Sequence, residues 1–305
     1  MAFTVKDVQA LREMTGVGMM DCKKALTESD GDMDKAVDFL RKKGLAAAAK
    51  KAGRIAAEGM VLAKVAENGD AVIVEVNSET DFVSKNAEFQ KFVNDIATVI
   101  AENKPADVDA LKALPYPGGS QTVEDMLREK VLVIGENIQI RRFKIYEGGY
   151  NTSYMHMGGK IGIIVAFDIT DSIKTNAELP AITKDICMQI NGMNPQYVNR
   201  GDVPADVVDK EKEILMAQTM NEGKPQAIAE KIVMGRISKF FQGVCLYDQE
   251  YIRDDKLTIR KYLEQCGKQL GGKIDVLSFV RYEKGEGIEK KQDNLAEEVA
   301  KMTGK

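Results

Sequence analysis

The chain has 305 residues, of which 44% are hydrophobic, 30% charged and 6% aromatic, and its formal net charge is −4. This composition is typical of a globular protein with two or three domains, and no apolar run is long enough to cross a bilayer. The first seven residues lack a basic segment followed by an apolar one, which predicts a cytoplasmic protein without a targeting signal. The negative charge argues against nucleic acid as a partner.

Residues 1–54 are predicted to form a small helical module. Apolar residues recur at three- and four-residue steps in three short stretches: Val5, Val8 and Leu11; Met19, Cys22, Ala25 and Leu26; and Met33, Val37 and Leu40. Gly44 is expected to end the third helix, and Ala46 to Arg54 to form a helical linker. Because Met19 and Met20 are adjacent, one of them is expected to be exposed as an adaptable contact.

A strand is predicted to meet a helix near Phe82. The strand is the β-branched stretch from Ala71 to Val76, and the helix carries an apolar stripe that begins at Phe89. Thr80 and Asp81 suit the junction, because their side-chain oxygens can accept hydrogen bonds from the first amides of a helix. Phe82 lies seven residues before Phe89, so it is either a core residue on the same stripe or a functional residue.

An internal repeat bears on these two interpretations. When the sequence is shifted against itself so that Thr80 lies on Thr170, Asp81 lies on Asp171 without a gap, but Phe82 lies on Ser172. This junction can therefore be built without a large apolar side chain, which favours a functional role for Phe82.

A second, larger shift places Gly135 on Gly271 and repeats another helix, its glycine stop and the following strand. Because the two shifts differ, the second copy is longer than the first, and its extra residues must form an insertion. Apolar stripes on both sides of Asn221 to Pro225 predict two antiparallel helices there. Such a projecting hairpin can bind another protein or a second copy of this chain, which leaves a homodimer or a heterotetramer open.

These patterns predict an α+β fold with antiparallel sheets backed by helices. Residues 1–54 form the helical module and linker, and residues 55–149 form the first α+β unit. Residues 150–193 and 243–285 form the second unit, which is interrupted by the helical hairpin of residues 194–242.

Signals for catalysis are weak. His156 is the only histidine, and no nucleophile or acid lies at motif spacing from it. Gly267 to Lys273 has the spacing of a phosphate loop, but it follows a helix and precedes a strand, the reverse of the required order. The four cysteines are scattered, and Asp30 to Asp34 lacks the other ligands of a calcium loop. A binding or regulatory protein is favoured over an enzyme, with no metal, cofactor or directly bound nucleotide.

Two long stretches, Leu11 to Leu26 and Glu75 to Val83, resemble the two signatures of the bacterial translation elongation factor Ts family. The resemblance runs almost end to end, with further matches at Ile134 to Asn137, at His156 with its glycines, at Gly223 to Phe241 and at Gly285 to Lys290. It implies a ubiquitin-associated-like (UBA-like) domain, two core subdomains, a helical-hairpin (coiled-coil) protrusion and a C-terminal helical module at residues 286–305.

The resemblance also implies a function, which is guanine nucleotide exchange on the GTPase elongation factor Tu. Asp81 and Phe82 would enter the GTPase domain, with Phe82 as a wedge beside the magnesium and phosphate site. Thr80 and Val83 match neighbouring partner-binding positions.

Other parts of the chain match further contacts of the family with the same GTPase. The matching residues are Arg12, Met19 and Met20, which would dock on a helix of the GTPase domain; Ile134 and Gly135; and His156, toward the third domain of the GTPase. Two other classes of function stay open. One is an adaptor that binds a protein through its first three helices, and the other is an enzyme that itself uses a nucleotide.

Overall fold

A computed structural model describes residues 3–289 of the chain. The helices are α1 (Val5–Thr15), α2 (Met19–Glu28), α3 (Met33–Lys51), α4 (Asp81–Ser84), α5 (Ala87–Asn103), α6 (Val108–Ala113), α7 (Val123–Ile134), α8 (Leu179–Met193), α9 (Ala205–Asn221), α10 (Gln226–Val244) and α11 (Ile259–Leu270). The strands are β1 (Glu58–Val65), β2 (Ala71–Ser78), β3 (Gln139–Tyr146), β4 (Tyr150–His156), β5 (Ile161–Ile169), β6 (Glu250–Tyr251), β7 (Asp254–Thr258) and β8 (Ile274–Glu283). The fold is therefore mixed, with helices and small sheets.

Helices α1, α2 and α3 pack around a core of their own. Its buried members are Val8, Leu11, Val17, Cys22, Ala25, Leu26, Ala36 and Leu40. At the start of α1, the Thr4 amide donates to the Asp7 carboxylate at 2.6 Å, and the Asp7 amide donates to the Thr4 hydroxyl at 3.4 Å. This reciprocal capping box satisfies amides that have no partner inside the helix.

The third helix does not end at Gly44 as the sequence predicts. It continues to Lys51, so most of the predicted linker of Ala46 to Arg54 is part of α3, which packs against α7. A side chain at Gly44 would put its Cβ 3.6 Å from the Arg128 carbonyl oxygen of α7. Lys51 Nζ donates to the Val131 carbonyl of the same helix at 3.1 Å. A Cβ at Gly44 would fit at an ordinary van der Waals distance, so α7 lies directly against this turn of α3, and the tertiary contact outweighs the low helix propensity of glycine.

The strands form sheets in the orders β1-β2-β3, β4-β5-β8 and β6-β7. Strands β4 and β5 are antiparallel, with register from Tyr150 opposite Phe167 to His156 opposite Ile161. Helix α8 packs on these two strands. Ile163, Val165 and Ile186 belong to the buried cluster formed there. Small antiparallel sheets with packed helices place the chain in the α+β class.

The same succession of elements occurs twice. The shift that places Gly135 on Gly271 carries the bounds of α7 onto those of α11, and the shift that places Thr80 on Thr170 carries the start of β2 onto the start of β5. The sheets β1-β2-β3 and β4-β5-β8 place corresponding strands in the same order. The two sequence shifts therefore correspond to a repeated structural unit.

In the sequence, helices α9 and α10 interrupt the second copy between α8 and α11, and in the structure they pack against each other. Thr219 is buried in this pair and accepts a hydrogen bond from Arg236 at 3.1 Å. Arg236 also pairs with Glu222 at 2.9 Å, so the polar groups at this end of the pair are satisfied.

The described residues fall into two compact units. Unit 1 contains the residues up to Leu62, Val74–Phe143 and those from Glu283 onward, and unit 2 contains Ala63–Ile73 and Lys144–Tyr282. The predicted domain boundaries stay predictions, and most of the predicted C-terminal module lies outside the described residues. No helix within residues 3–289 is long and apolar enough to span a membrane.

Candidate functional site

The junction between β2 and α5, called the corner here, comprises residues 79–86. It holds the four-residue helix α4, and α5 then begins separately at Ala87. Asn86 caps α5, because its side-chain oxygen accepts hydrogen bonds from the amides of Glu88 and Phe89 at 2.8 and 3.4 Å. Phe82 is thus on a different helix from Phe89, and the two do not share a stripe.

Phe82 presents its ring to solvent. Its side chain is 79% exposed, whereas the next residue, Val83, is 6% exposed and anchors the short helix to the core. In the second copy Ser172 is exposed at the position of Phe82, and Ile173 is buried at the position of Val83. The buried position therefore carries an apolar residue in both copies, whereas the exposed position carries an apolar residue only in the first copy. Phe82 is therefore not a core residue, and large exposed apolar groups often mark sites of interaction.

A carboxylate from elsewhere in unit 1 holds the start of the corner. The amides of Glu79 and Thr80 donate to Glu136 Oε2 at 3.0 and 2.9 Å, and the Thr80 hydroxyl donates to Glu136 Oε1 at 2.6 Å. The expectation that Thr80 caps the helix with its own side chain is wrong, since it makes no such hydrogen bond. Its hydroxyl is turned toward Glu136 instead.

The corner also supplies a carboxylate of its own, that of Glu79, which binds the residue after Glu136. Glu79 accepts a hydrogen bond from the Asn137 amide at 2.7 Å and pairs with Arg54 at 3.3 Å. Glu136 and Asn137 directly follow Ile134 and Gly135, where α7 ends in a left-handed glycine cap. The structure thus brings the Ile134–Gly135 stretch to the corner, although the two are far apart in the sequence.

The charged groups beside Phe82 interact with one another. Lys85 pairs with Asp81 at 2.7 Å, and its amine lies 5.9 Å from the centre of the Phe82 ring. The hydrogen bond from Lys85 and its positive charge hold the pKa of Asp81 below its ordinary value. Asp81 is therefore an anion at neutral pH, next to an exposed aromatic ring.

Strand β2 also carries a fully buried carboxylate, Glu75. Arg141 and Arg142 donate to it at 3.0 and 2.6 Å, Asn77 at 3.1 Å and the Gly285 amide at 2.7 Å. Burial by itself raises the pKa of Glu75, but the hydrogen bonds from Gly285, Asn77 and Arg142 outweigh it and hold the pKa below its ordinary value. Glu75 thus fixes the turn at Gly285 beside the strand that leads to the corner.

The remaining predicted residues lie elsewhere. Arg12 is exposed on α1, and both Met19 and Met20 are exposed on α2, Met20 with 74% of its side chain accessible. His156 lies at the end of β4 in unit 2, half-buried, with Nδ1 3.1 Å from the Tyr154 hydroxyl. The structure therefore joins the predicted residues of the corner and of α7, and it places the methionines on the helical bundle of unit 1.

Sequence reasoning missed the roles of Glu79 and Glu136 in holding the corner. A signal was present, because the shift that places Gly135 on Gly271 also places Glu136 on Gly272. The second copy therefore lacks both the aromatic residue and the carboxylate. Among the described residues, no cluster of three or more histidine, cysteine or acidic side chains could hold a metal ion.

Comparisons with known proteins agree on one family. The family model described as "Elongation factor TS" matches residues 79–286. The chain is 48% identical to "Elongation factor Ts" of Syntrophotalea carbinolica, over 99% of this chain and 100% of that protein. It is 50% identical to the protein of that name from Clostridium perfringens strain SM101, over 99% of each chain. It is 49% identical to the one from Symbiobacterium thermophilum, over 99% of this chain and 98% of that protein.

Proposed function

The chain belongs to the elongation factor Ts family, and from this membership we propose that it is a guanine nucleotide exchange factor for elongation factor Tu in protein biosynthesis. The observation that carries the proposal is the exposed ring of Phe82 on a corner held by charged hydrogen bonds. An apolar ring in this setting is suited to insertion into a partner, since the protein does not use it in its own core.

Exchange of this kind requires no covalent chemistry. The factor and the nucleotide each weaken the other's binding to the GTPase, so binding of the factor speeds release of GDP. The coupling is reciprocal, and incoming GTP therefore helps to release the factor. In this proposal Phe82 acts as the wedge beside the magnesium and phosphate site of the GTPase. Asp81 enters the same domain and supplies the negative charge described above.

The neighbouring residues take different parts in the proposed contact. Val83 is buried, so we assign it to anchoring α4 beneath Phe82. Thr80 is assigned to the same support through its bonds to Glu136. Ile134 and Gly135 lie at the end of α7, next to the corner, where they can contact the GTPase directly.

Two further surfaces complete the proposal. Arg12, Met19 and Met20 would dock on a helix of the GTPase domain, since exposed methionines adapt to apolar partner surfaces. His156 would contact the third domain of the GTPase. The three-helix bundle is proposed to be UBA-like, and α9 with α10 to be the helical-hairpin protrusion of the family.

The direct test is stopped-flow release of a fluorescent GDP analogue from elongation factor Tu. Adding the chain is expected to accelerate release at least about tenfold, which corresponds to lowering the activation free energy of GDP release by about 1.4 kcal/mol. The same release without the chain is the baseline. No acceleration at a concentration at which the two proteins bind each other would leave an adaptor as the better description.

Calorimetry of GDP against the isolated chain separates the exchange factor from an enzyme that uses a nucleotide. We expect no binding, because the Gly267 to Lys273 stretch has the wrong order of elements for a phosphate loop, with α11 before it and β8 after it. Micromolar binding of GDP to this chain alone would favour the enzyme.

Met20→Ala is expected to weaken association with elongation factor Tu about tenfold while leaving the urea unfolding midpoint unchanged. The side chain is largely exposed, so its loss removes little packing from the bundle. Titration calorimetry with the GTPase measures the affinity. Met234→Ala, at a side chain exposed to the same extent on α10, is the matched control and should leave the affinity within about twofold. Equal losses in the two variants would argue against a specific contact at Met20.

A further inference from the structure

We infer that Glu136 is a positioning residue for nucleotide exchange, whose carboxylate holds the corner so that Phe82 is presented in one orientation. The inference rests on the proposed function and assigns a role to a residue that does not itself need to touch the GTPase. Glu136 and the three groups that donate to it, the Glu79 amide, the Thr80 amide and the Thr80 hydroxyl, are called the Glu136 clamp.

The first argument is that helix α4 cannot hold itself. It has four residues, and helices this short have too few internal hydrogen bonds to be stable without tertiary contacts. Val83 anchors one side of it. At the start of the helix, the cap residue Thr80 gives no side-chain hydrogen bond to the helix. The Glu136 clamp fixes this end with three hydrogen bonds, beside a single one from the Ser78 hydroxyl to the Thr80 carbonyl at 3.0 Å.

The second argument comes from the repeat. In unit 2 the Thr170 amide donates to the Lys273 carbonyl at 3.1 Å, and the Lys273 amide donates to the Thr170 hydroxyl at 2.9 Å. Gly272 stands at the position of Glu136, and a Cβ there would lie 3.0 Å from atoms of Thr170 and Ile173. The second copy thus holds the equivalent corner by direct backbone approach, without a carboxylate.

The fold can therefore build this corner without the Glu136 clamp. The copy that has the exposed phenylalanine has the clamp, and the copy that has Ser172 does not. The two differences are linked in the structure, because Glu136 binds Glu79 and Thr80, which directly precede the helix that carries Phe82. A ring that must enter a partner gains from being preordered, because less conformational freedom is lost on binding. The structure therefore associates the clamp with the presentation of Phe82.

The geometry also predicts which substitutions are tolerated. Both backbone amides donate to the same oxygen, Oε2. The single carbonyl oxygen of a glutamine can take that place, and its amide group can then donate to the Thr80 hydroxyl. Glu136→Gln should therefore preserve the clamp, whereas Glu136→Ala removes it. Glu136→Asp shortens the side chain by one methylene group and should not span the gap.

The test measures stimulated GDP release from elongation factor Tu by the full chain. We expect Glu136→Ala to lower the rate at least about tenfold, because small misplacements of a functional group are costly. Glu136→Gln should stay within about threefold of wild type. Asp202→Ala removes a carboxylate that accepts from the Asn199 amide at 2.8 Å in unit 2, and as the matched control it should leave the rate unchanged. If Glu136→Ala does not fold, Glu136→Asp carries the same expectation.

A double-mutant cycle separates positioning from a general structural role. In a Phe82→Ala background, Glu136→Ala should change the rate by less than about twofold, because nothing is left to position. Hydrogen exchange of the Glu79 and Thr80 amides in the free protein reports the clamp directly, and should quicken in Glu136→Ala and not in Glu136→Gln.

The outcomes distinguish this inference from the proposed function. A wild-type chain that does not accelerate GDP release overturns both. A wild-type chain that does, beside a folded Glu136→Ala variant with the same rate, overturns the positioning role alone. A double-mutant cycle in which the fold-changes of Phe82→Ala and Glu136→Ala simply multiply also overturns the positioning role alone.

Discussion

Phe82→Ala is expected to lower the stimulated rate of GDP release about 10²-fold or more, while the free energy of unfolding changes by less than about 0.5 kcal/mol. The ring is 79% exposed, so truncating it removes little buried area from the protein. An inserted ring at the centre of a contact commonly contributes more than about 2 kcal/mol to binding. A 10²-fold change in the release rate corresponds to about 2.7 kcal/mol of activation free energy, which is of the same size. Stopped-flow release and urea unfolding of the same preparation measure the two quantities.

Phe89→Ala is the matched control within the same segment. Phe89 is fully buried on α5, and its truncation should cost about 3–5 kcal/mol of stability. The two substitutions are therefore expected to have different effects: Phe82→Ala lowers the rate of GDP release, and Phe89→Ala lowers the stability of the fold. The wedge assignment fails if Phe82→Ala destabilises the protein by several kcal/mol while its folded fraction still accelerates GDP release normally.

Glu75→Ala is expected to destabilise the protein by about 3–5 kcal/mol at pH 7, the cost typical of removing one partner from a buried ion pair. The substitution leaves Arg141, Arg142 and the Gly285 amide without their shared acceptor. Glu88→Ala removes an exposed carboxylate that pairs with Lys130 at 2.9 Å, and as the control it should cost less than about 1 kcal/mol. Urea unfolding of the two variants and the wild type measures the difference.

The pH dependence checks whether Glu75 acts as an anion. Its pKa in the folded protein is lowered, so its contribution is present above about pH 4.3, the pKa of a glutamate in an unfolded chain. It is lost as the pH falls through the lower pKa of the folded state. The difference in the free energy of unfolding between wild type and Glu75→Ala should therefore become smaller below about pH 4.3. A difference that stays constant between pH 7 and pH 3 would contradict an ionised Glu75.

The repeated elements could be predicted from sequence because their signals are local and occur twice. Helices α7 and α11 have the same length and both end at a glycine in the left-handed conformation, Gly135 and Gly271. The strand before the corner and the helix after it follow from β-branched content and apolar spacing. The exposure of Phe82 could be inferred only by comparison with Ser172, since its seven-residue spacing from Phe89 is also that of a core residue on one helical stripe.

The features that could not be predicted depend on contacts between distant residues. Gly44 has the local character of a helix stop, but its place in α3 is decided by the approach of α7. Thr80 has the local character of a cap, but its hydroxyl is taken by a carboxylate 56 positions away. Local propensity cannot report such partners, and the internal repeat marks only one of them, by placing Glu136 on Gly272.

The hydrogen bond between Glu75 and Gly285 also constrains the order in which the protein can fold during its own synthesis. Its two ends are separated by 210 positions in the chain. At about 5–20 residues per second, a ribosome needs about 10–40 s to make the intervening segment. Unit 1 includes residues on both sides of that interval, whereas unit 2 ends at Tyr282. All of unit 2 is therefore synthesised before the last segment of unit 1 exists. Over that time Glu75 lacks the hydrogen bond from the Gly285 amide, which is the last of its donors to be made.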